Sequence, residues 1–109
     1  MWQCNSCTYV WDGDEPPVEC PKCGAAEARF AQVDAKGADL IEKSRFTNSL
    51  HMQLYVLLEQ MMDVAEDGID ENLDAGCVEI FQQTMDLAEI LQQSIKAELQ
   101  KHVNKGRWG

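Results

Sequence analysis

The sequence predicts a small β/loop metal-binding domain followed by an all-α antiparallel helical hairpin that pairs with a second hairpin into a four-helix bundle. Three observations carry that expectation. Two Cys-x-x-Cys pairs fall within the first 23 residues, turn-forming residues crowd the same region, and after Gly37 proline disappears while apolar residues recur at three- and four-residue steps.

The cysteine pairs are Cys4-Asn5-Ser6-Cys7 and Cys20-Pro21-Lys22-Cys23-Gly24. A Cys-x-x-Cys turn points two sulfurs the same way while its backbone amides face them, and two such turns brought opposite each other close a tetrahedral tetrathiolate. Pro21 fixes one dihedral in the second turn, and Gly24 supplies the positive φ that follows its last cysteine. Cys4, Cys7, Cys20 and Cys23 are therefore the predicted metal ligands. Tetrahedral sulfur ligation suits iron and zinc alike, so spacing alone leaves both open.

Around these pairs, Asp12-Gly13-Asp14 and Pro16-Pro17 separate β-prone pieces at 8–11 and 29–33, which reads as a two- or three-stranded ribbon. The predicted metal domain covers residues 1–36. So short a segment cannot bury enough apolar surface to fold alone, and the metal is expected to contribute much of its stability.

Residues 37–109 form the predicted hairpin. Leu40, Ile41, Leu50, Leu54, Leu57, Leu58, Met61 and Ala65 describe a helix from about 38 to 66, with residues 42–49 its weakest part. Gly68 is expected to end it and Asp70 to cap a second helix over about 71–104. The stripe of that second helix is Leu73, Cys77, Ile80, Thr84, Leu87, Leu91, Ile95 and Leu99, reaching His102 or Val103, with Phe81 and Ala88 widening it. Two cylinders leave much of so wide a stripe uncovered, which predicts a homodimer, or a larger helical assembly. Trp108, beyond a helix stop at Gly106, is expected to return towards the metal domain.

Nineteen acids against nine bases give a net charge of −10, which excludes nucleic acid as a natural partner because a phosphate backbone needs a basic stripe. The opening residues show no secretory pattern and no apolar run is long enough to span a bilayer, so the expected location is the cytoplasm, with no membrane association. In a reducing compartment paired cysteines serve more often as ligands than as disulfides, and the fifth, Cys77, reads as a buried small apolar residue.

The segment from Trp2 to Val33 closely resembles the short rubredoxin-like domain of rubrerythrins and some modular flavoproteins. The residues that carry the resemblance are Trp2, Cys4, Cys7, Tyr9, Trp11-Asp12-Gly13, Pro16-Pro17, Cys20-Pro21-x-Cys23-Gly24 and Phe30, with twelve residues between the cysteine pairs. The resemblance implies one iron held by Cys4, Cys7, Cys20 and Cys23, cycling between ferric and ferrous states as a one-electron carrier. It also suggests redox partner proteins: a pyridine-nucleotide-dependent reductase upstream and peroxide or oxygen detoxification downstream. Thr8 departs from the pattern, standing where the family usually has glycine, so the first sulfur turn is expected to be altered or its potential shifted. Zinc is the alternative metal; it would make the domain a structural knuckle capping a helical dimer.

A rubrerythrin-like di-iron bundle takes carboxylates from four helices, with Glu-x-x-His on two of them. Here Asn48 lies three residues before His51 and Leu99 three before His102, and the two histidines are expected to fall far apart. Glu59, Glu66, Glu79, Glu89 and Glu98 read as solvated helix surface. The expected protein is thus an electron carrier or binding protein, with no catalytic residues assigned.

Overall fold

The computed structural model describes residues 1–109. The strands are β1 (Trp2–Cys4), β2 (Val10–Trp11) and β3 (Phe30–Gln32), and the helices are α1 (Ala35–Glu71) and α2 (Ala75–Asn104). A single 3₁₀ turn at Glu27–Arg29 leads into β3. The three-stranded antiparallel sheet has the order β2-β1-β3, with Trp2 opposite both Trp11 and Gln32 and with Cys4 opposite Phe30. Strands of two or three residues have little stability of their own. The chain folds as two compact units, one of Met1–Phe46 with Lys105–Gly109 and one of Thr47–Asn104. The first extends past the residue-36 boundary read from the sequence to include the first turns of α1 and the chain's last residues.

In the first unit Cys4, Cys20 and Phe30 are buried, and Trp2, Cys7, Tyr9, Trp11 and Ala25 pack against them. The aromatic side chains that make this segment unusual for its size are thus largely its core. Two indoles also hold the loop between strands: Trp2 Nε1 donates to the Asp14 carbonyl at 3.1 Å and Trp11 Nε1 to the Glu15 carbonyl at 3.0 Å. Trp11 lies so close over Gly13 that a Cβ there would sit 2.2 Å from its Nε1. At the weak stretch of α1, Arg45 makes a two-pronged ion pair with Asp12 at 2.8 and 3.0 Å and donates from Nε to the Gly109 carbonyl at 2.8 Å.

Helix α1 starts at Ala35 rather than near 38 because Asp34 caps it. The Asp34 carboxylate accepts from the Gly37 amide at 2.7 Å, and its carbonyl accepts from Ala38 at 2.9 Å. The helix also does not stop near 66. Gly68 is an interior helical residue, with the Phe81 ring so close that a Cβ would meet it at 2.3 Å. Asn72 ends the helix instead: it adopts φ 50° and donates its amide to the Gly68 carbonyl at 3.3 Å, the single-bond left-handed termination. Asp74, not Asp70, caps α2 by accepting the Cys77 amide at 2.8 Å, so α2 begins at Ala75 rather than Glu71. Gly106, with φ 68°, follows the end of α2 as expected.

Within the second unit the antiparallel helices meet along two heptad seams. On α1 the seam runs through Asn48, His51, Tyr55, Leu58, Met62 and Ala65, and on α2 through Phe81, Met85, Ala88, Gln92, Ile95, Leu99 and His102, all of them buried or half-buried. Leu58, Ala88 and Ile95 form the packed centre, flanked by Tyr55, Met62 and Leu99. The buried Gln92 side chain donates to the Tyr55 carbonyl at 3.2 Å. This seam differs from the apolar stripes read from the sequence: Leu50, Leu54, Leu57 and Met61 on α1, and Ile80, Leu87 and Leu91 on α2, remain 40–64% exposed. No helix is long and apolar enough to cross a membrane.

Candidate metal centre

Each cysteine pair sits in the same backbone turn. In the first, the Thr8 amide donates to the Cys4 carbonyl at 2.8 Å and the Cys4 amide to the Tyr9 carbonyl at 2.9 Å. In the second, Gly24 donates to Cys20 at 2.9 Å and Cys20 to Ala25 at 2.8 Å, position for position. The residue after each pair is left-handed, Thr8 with φ 65° and Gly24 with φ 72°. The expectation that threonine would alter the first turn is therefore corrected. The turn keeps its shape, and Thr8 Oγ1 donates to the Cys7 carbonyl at 2.6 Å.

A β-branched residue in that region carries a backbone cost of about 1–2 kcal/mol. Thr8→Gly should therefore stabilise the metal-loaded first unit, by no more than about 1 kcal/mol because glycine also adds unfolded-state freedom. Denaturant titration of the loaded protein, followed by tryptophan fluorescence, would show a raised midpoint; a lowered one would mean that the Thr8 hydroxyl bond outweighs the strain.

The two turns bring all four thiols of Cys4, Cys7, Cys20 and Cys23 within 4.8 Å of one another. Cys4 Sγ lies 3.8 Å from Cys23 Sγ, and Cys7 Sγ lies 3.7 Å from Cys20 Sγ. These separations match a tetrahedral tetrathiolate, whose sulfur–sulfur edge is about 3.8 Å for a metal–sulfur bond of about 2.3 Å. They are far beyond a disulfide bond of about 2.05 Å, and all five cysteines are free. The first cysteine of each turn is buried, Cys4 fully and Cys20 at 3% exposure, whereas Cys7 is half-buried and Cys23 exposed. The cage is thus closed towards the core and open on one side.

Its electrostatics are those of a cluster that must lose protons to bind a cation. Burial works against a Cys4 thiolate, but amide hydrogen bonds from Ser6 and Cys7, together with the Cys7 and Cys23 thiols, outweigh it and bring Cys4 down to about 7. At Cys23 the Ala25 amide favours the thiolate, yet the Cys7 thiol, burial, and the Cys20 and Cys4 thiols push it up to about 12. A cation held by all four sulfurs would have to displace their protons, so its binding is expected to strengthen as pH rises.

The remaining candidates lie elsewhere. Cys77 stands in the first turn of α2, with its thiol 3.5 Å from the Asp74 carboxylate, whose hydrogen bond and charge raise its pKa. Glu59, Glu66, Glu79 and Glu89 are exposed, and Glu98 pairs with Lys101 at 3.0 Å. His51 and His102, expected to be far apart, are neighbours: their rings meet edge-on with centroids 6.3 Å apart. His102 is buried, Nδ1 bonds the Asn48 side chain at 2.5 Å, and Nε2 lies 3.7 Å from Glu98. Tyr55 bonding Gln92 and Gly68 packing on Phe81 fix a hairpin register in which residue 51 stands within two turns of residue 102, close enough for the two rings to meet. The signal for this pair was their shared place on the two heptad seams.

Sheet, paired turns and sulfur cage together define a small tetracysteine module of the rubredoxin-like class, followed by a two-helix hairpin. Residues 2–31 match the family model described as "Rubrerythrin, rubredoxin-like domain". Over 30 residues the chain is 40% identical to a rubrerythrin of Clostridium perfringens, which is 28% of this chain and 15% of that protein. Over 79 residues it is 24% identical to reverse rubrerythrin-1 of Clostridium acetobutylicum, covering 72% of this chain and 39% of that protein. The chain therefore spans well under half the length of these curated relatives. No solved structure matches.

Proposed function

We propose that the protein is a one-electron carrier whose Cys4, Cys7, Cys20 and Cys23 hold a single iron, and whose helical hairpin pairs with a second copy. The observation that carries this reading is the sulfur cage, with two edges of 3.7 and 3.8 Å, walled on its inner side by aromatic residues. Bound there, iron supplies one-electron chemistry between ferric and ferrous states. Four thiolates complete the tetrahedral shell, so the site offers a substrate no open position, and the reading is of a carrier rather than a catalyst. Trp2, Tyr9, Trp11 and Phe30 keep water from the buried sulfurs, and the amides of Ser6, Cys7 and Ala25 stabilise negative sulfur. Cys7 and Cys23 bring the cluster to the surface, where an electron reaches or leaves it through a docked redox partner.

The family match favours iron, and free paired thiols fit a reducing cytoplasm. A pyridine-nucleotide-dependent reductase is the proposed donor, and a place in peroxide or oxygen detoxification, as carrier or accessory subunit, the proposed role. The second reading is a zinc knuckle, which the same tetrahedral thiol set supports. Metal analysis and visible spectra of protein from the native host decide between them. About one iron per chain, with colour that bleaches under anaerobic dithionite and returns in air, is the expected result. One zinc per chain without a visible band would overturn the carrier reading.

A further inference from the structure

The second unit carries two apolar seams on each helix, and its fold closes only one of them. On α1 the closed seam runs through Tyr55, Leu58, Met62 and Ala65, while Leu50, Leu54, Leu57, Met61 and Val64 repeat at the same four- and three-residue steps one flank away and stay 45–65% exposed. On α2 the closed seam runs through Ala88, Gln92, Ile95 and Leu99, and Ile80, Leu87 and Leu91 repeat on the same flank at 40–64% exposure. With closed-seam residues assigned to a and d, both open stripes occupy c and g. In an antiparallel pair the g flanks of the two helices lie on the same side, so the open stripes merge into one face. The open face is also the more apolar one: the closed seam spends positions on Asn48, Gln92 and His102.

At roughly 100 Å² for each half-exposed side chain, these eight residues offer about 800 Å², the share one partner contributes to a standard interface. A second copy presents an equal face, and charge decides its orientation. From Phe46 to Ile95 the chain has no lysine or arginine, and Asp63, Glu66, Asp67, Asp70, Glu71 and Asp74 crowd the hairpin turn; Lys96, Lys101, Lys105 and Arg107 all lie towards the other end. A parallel pairing would stack two acidic turns within a Debye length of about 8–10 Å, whereas an antiparallel pairing sets each beside the partner's basic end.

We propose that two copies pair antiparallel through this face, about a two-fold axis perpendicular to the helices that passes near Met61 of α1 and between Leu87 and Leu91 of α2. The proposal rests on the reading that the hairpin pairs with a second copy, and adds which face is buried and which way the copies run. Such an axis sets α2 against its symmetry mate and brings Cys77 opposite residues 99–101 of the other copy.

Lys101→Cys in the full, metal-loaded chain tests it. Cys77 and position 101 are about 36 Å apart along one helix, so a short bis-maleimide can join them only between copies, and only in the antiparallel pairing. The expected result is a species of twice the chain mass on a denaturing gel, with the 77–101 link identified in its peptides and lost when Leu57→Glu is added. A protein that is dimeric by light scattering yet yields no 77–101 link would overturn the orientation while leaving dimerisation intact. A link that survives Leu57→Glu would overturn the choice of face, and a monomer at all concentrations would overturn pairing itself.

Discussion

Cys23→Ser is expected to abolish tight metal binding and to unfold the first unit while most of the helical signal survives. The first unit has strands of two or three residues, and the buried cluster beneath them is Cys4, Cys20 and Phe30, so two of the three residues in that cluster are themselves in the sulfur cage. Its core and its metal site are one object. A serine hydroxyl stays protonated at neutral pH and is a poor substitute for a soft thiolate, leaving three sulfurs around a cation that needs four. Binding free energy in a metal domain of this size is folding free energy, so losing one ligand removes both together. Metal stoichiometry, tryptophan fluorescence and far-ultraviolet circular dichroism on the same sample check this. One ion per chain at unchanged affinity would contradict the assignment of Cys23 as a ligand.

Gly68→Ala is the second change with a large expected effect, and its sign distinguishes two mechanisms. At an exposed position inside a helix, alanine in place of glycine stabilises by about 1 kcal/mol through helix propensity. At Gly68 the added Cβ would meet three Phe81 ring atoms at 2.3–2.5 Å, far inside contact distance, so the ring or the helix must shift. Overpacking of this kind costs about 1–3 kcal/mol, which offsets or exceeds the propensity gain, and the expected outcome is a hairpin less stable by up to about 2 kcal/mol. Phe81→Leu frees the space, and Gly68→Ala introduced into that background should become neutral or stabilising. A double-mutant cycle by urea denaturation reads the coupling directly. Stabilisation by Gly68→Ala alone would show that the Phe81 ring moves aside without cost.

Local chemistry accounts for what could be read in advance. Two Cys-x-x-Cys turns specify sulfur geometry through a few backbone dihedrals, so Cys4, Cys7, Cys20 and Cys23 were legible as a cluster, as were the aromatic shell and the stop at Gly106. The helix limits were less legible because Gly and Asp have several uses. Gly68 reads as a stop, but the Phe81 ring needs the absence of a side chain there, and the stop falls to Asn72; Asp70 reads as a cap, but Asp74 makes the bond. Thr8 shows the same limit from the other side, since the turn imposes a positive φ that threonine alone would avoid.

The sequence by itself determined the thiol cluster, four cysteines at a spacing that gathers their sulfurs within 4.8 Å of one another in a short-stranded segment, and the two long helices that follow it. Tertiary structure decided which helical faces meet. Both helices carry two heptad stripes, and hydrophobicity alone favours Leu50, Leu54, Leu57 and Leu87, yet the hairpin closes on Tyr55, Leu58, Ala88 and Ile95 with Asn48 bonded to His102. A short connection ended by Asn72 and restarted by Asp74 sets the rotation of α2 about its axis, and the missing side chain at Gly68 leaves room for the Phe81 ring on that side. Periodicity records that a face is apolar, but the turn geometry and the space between backbones select which of two apolar faces the chain covers with itself.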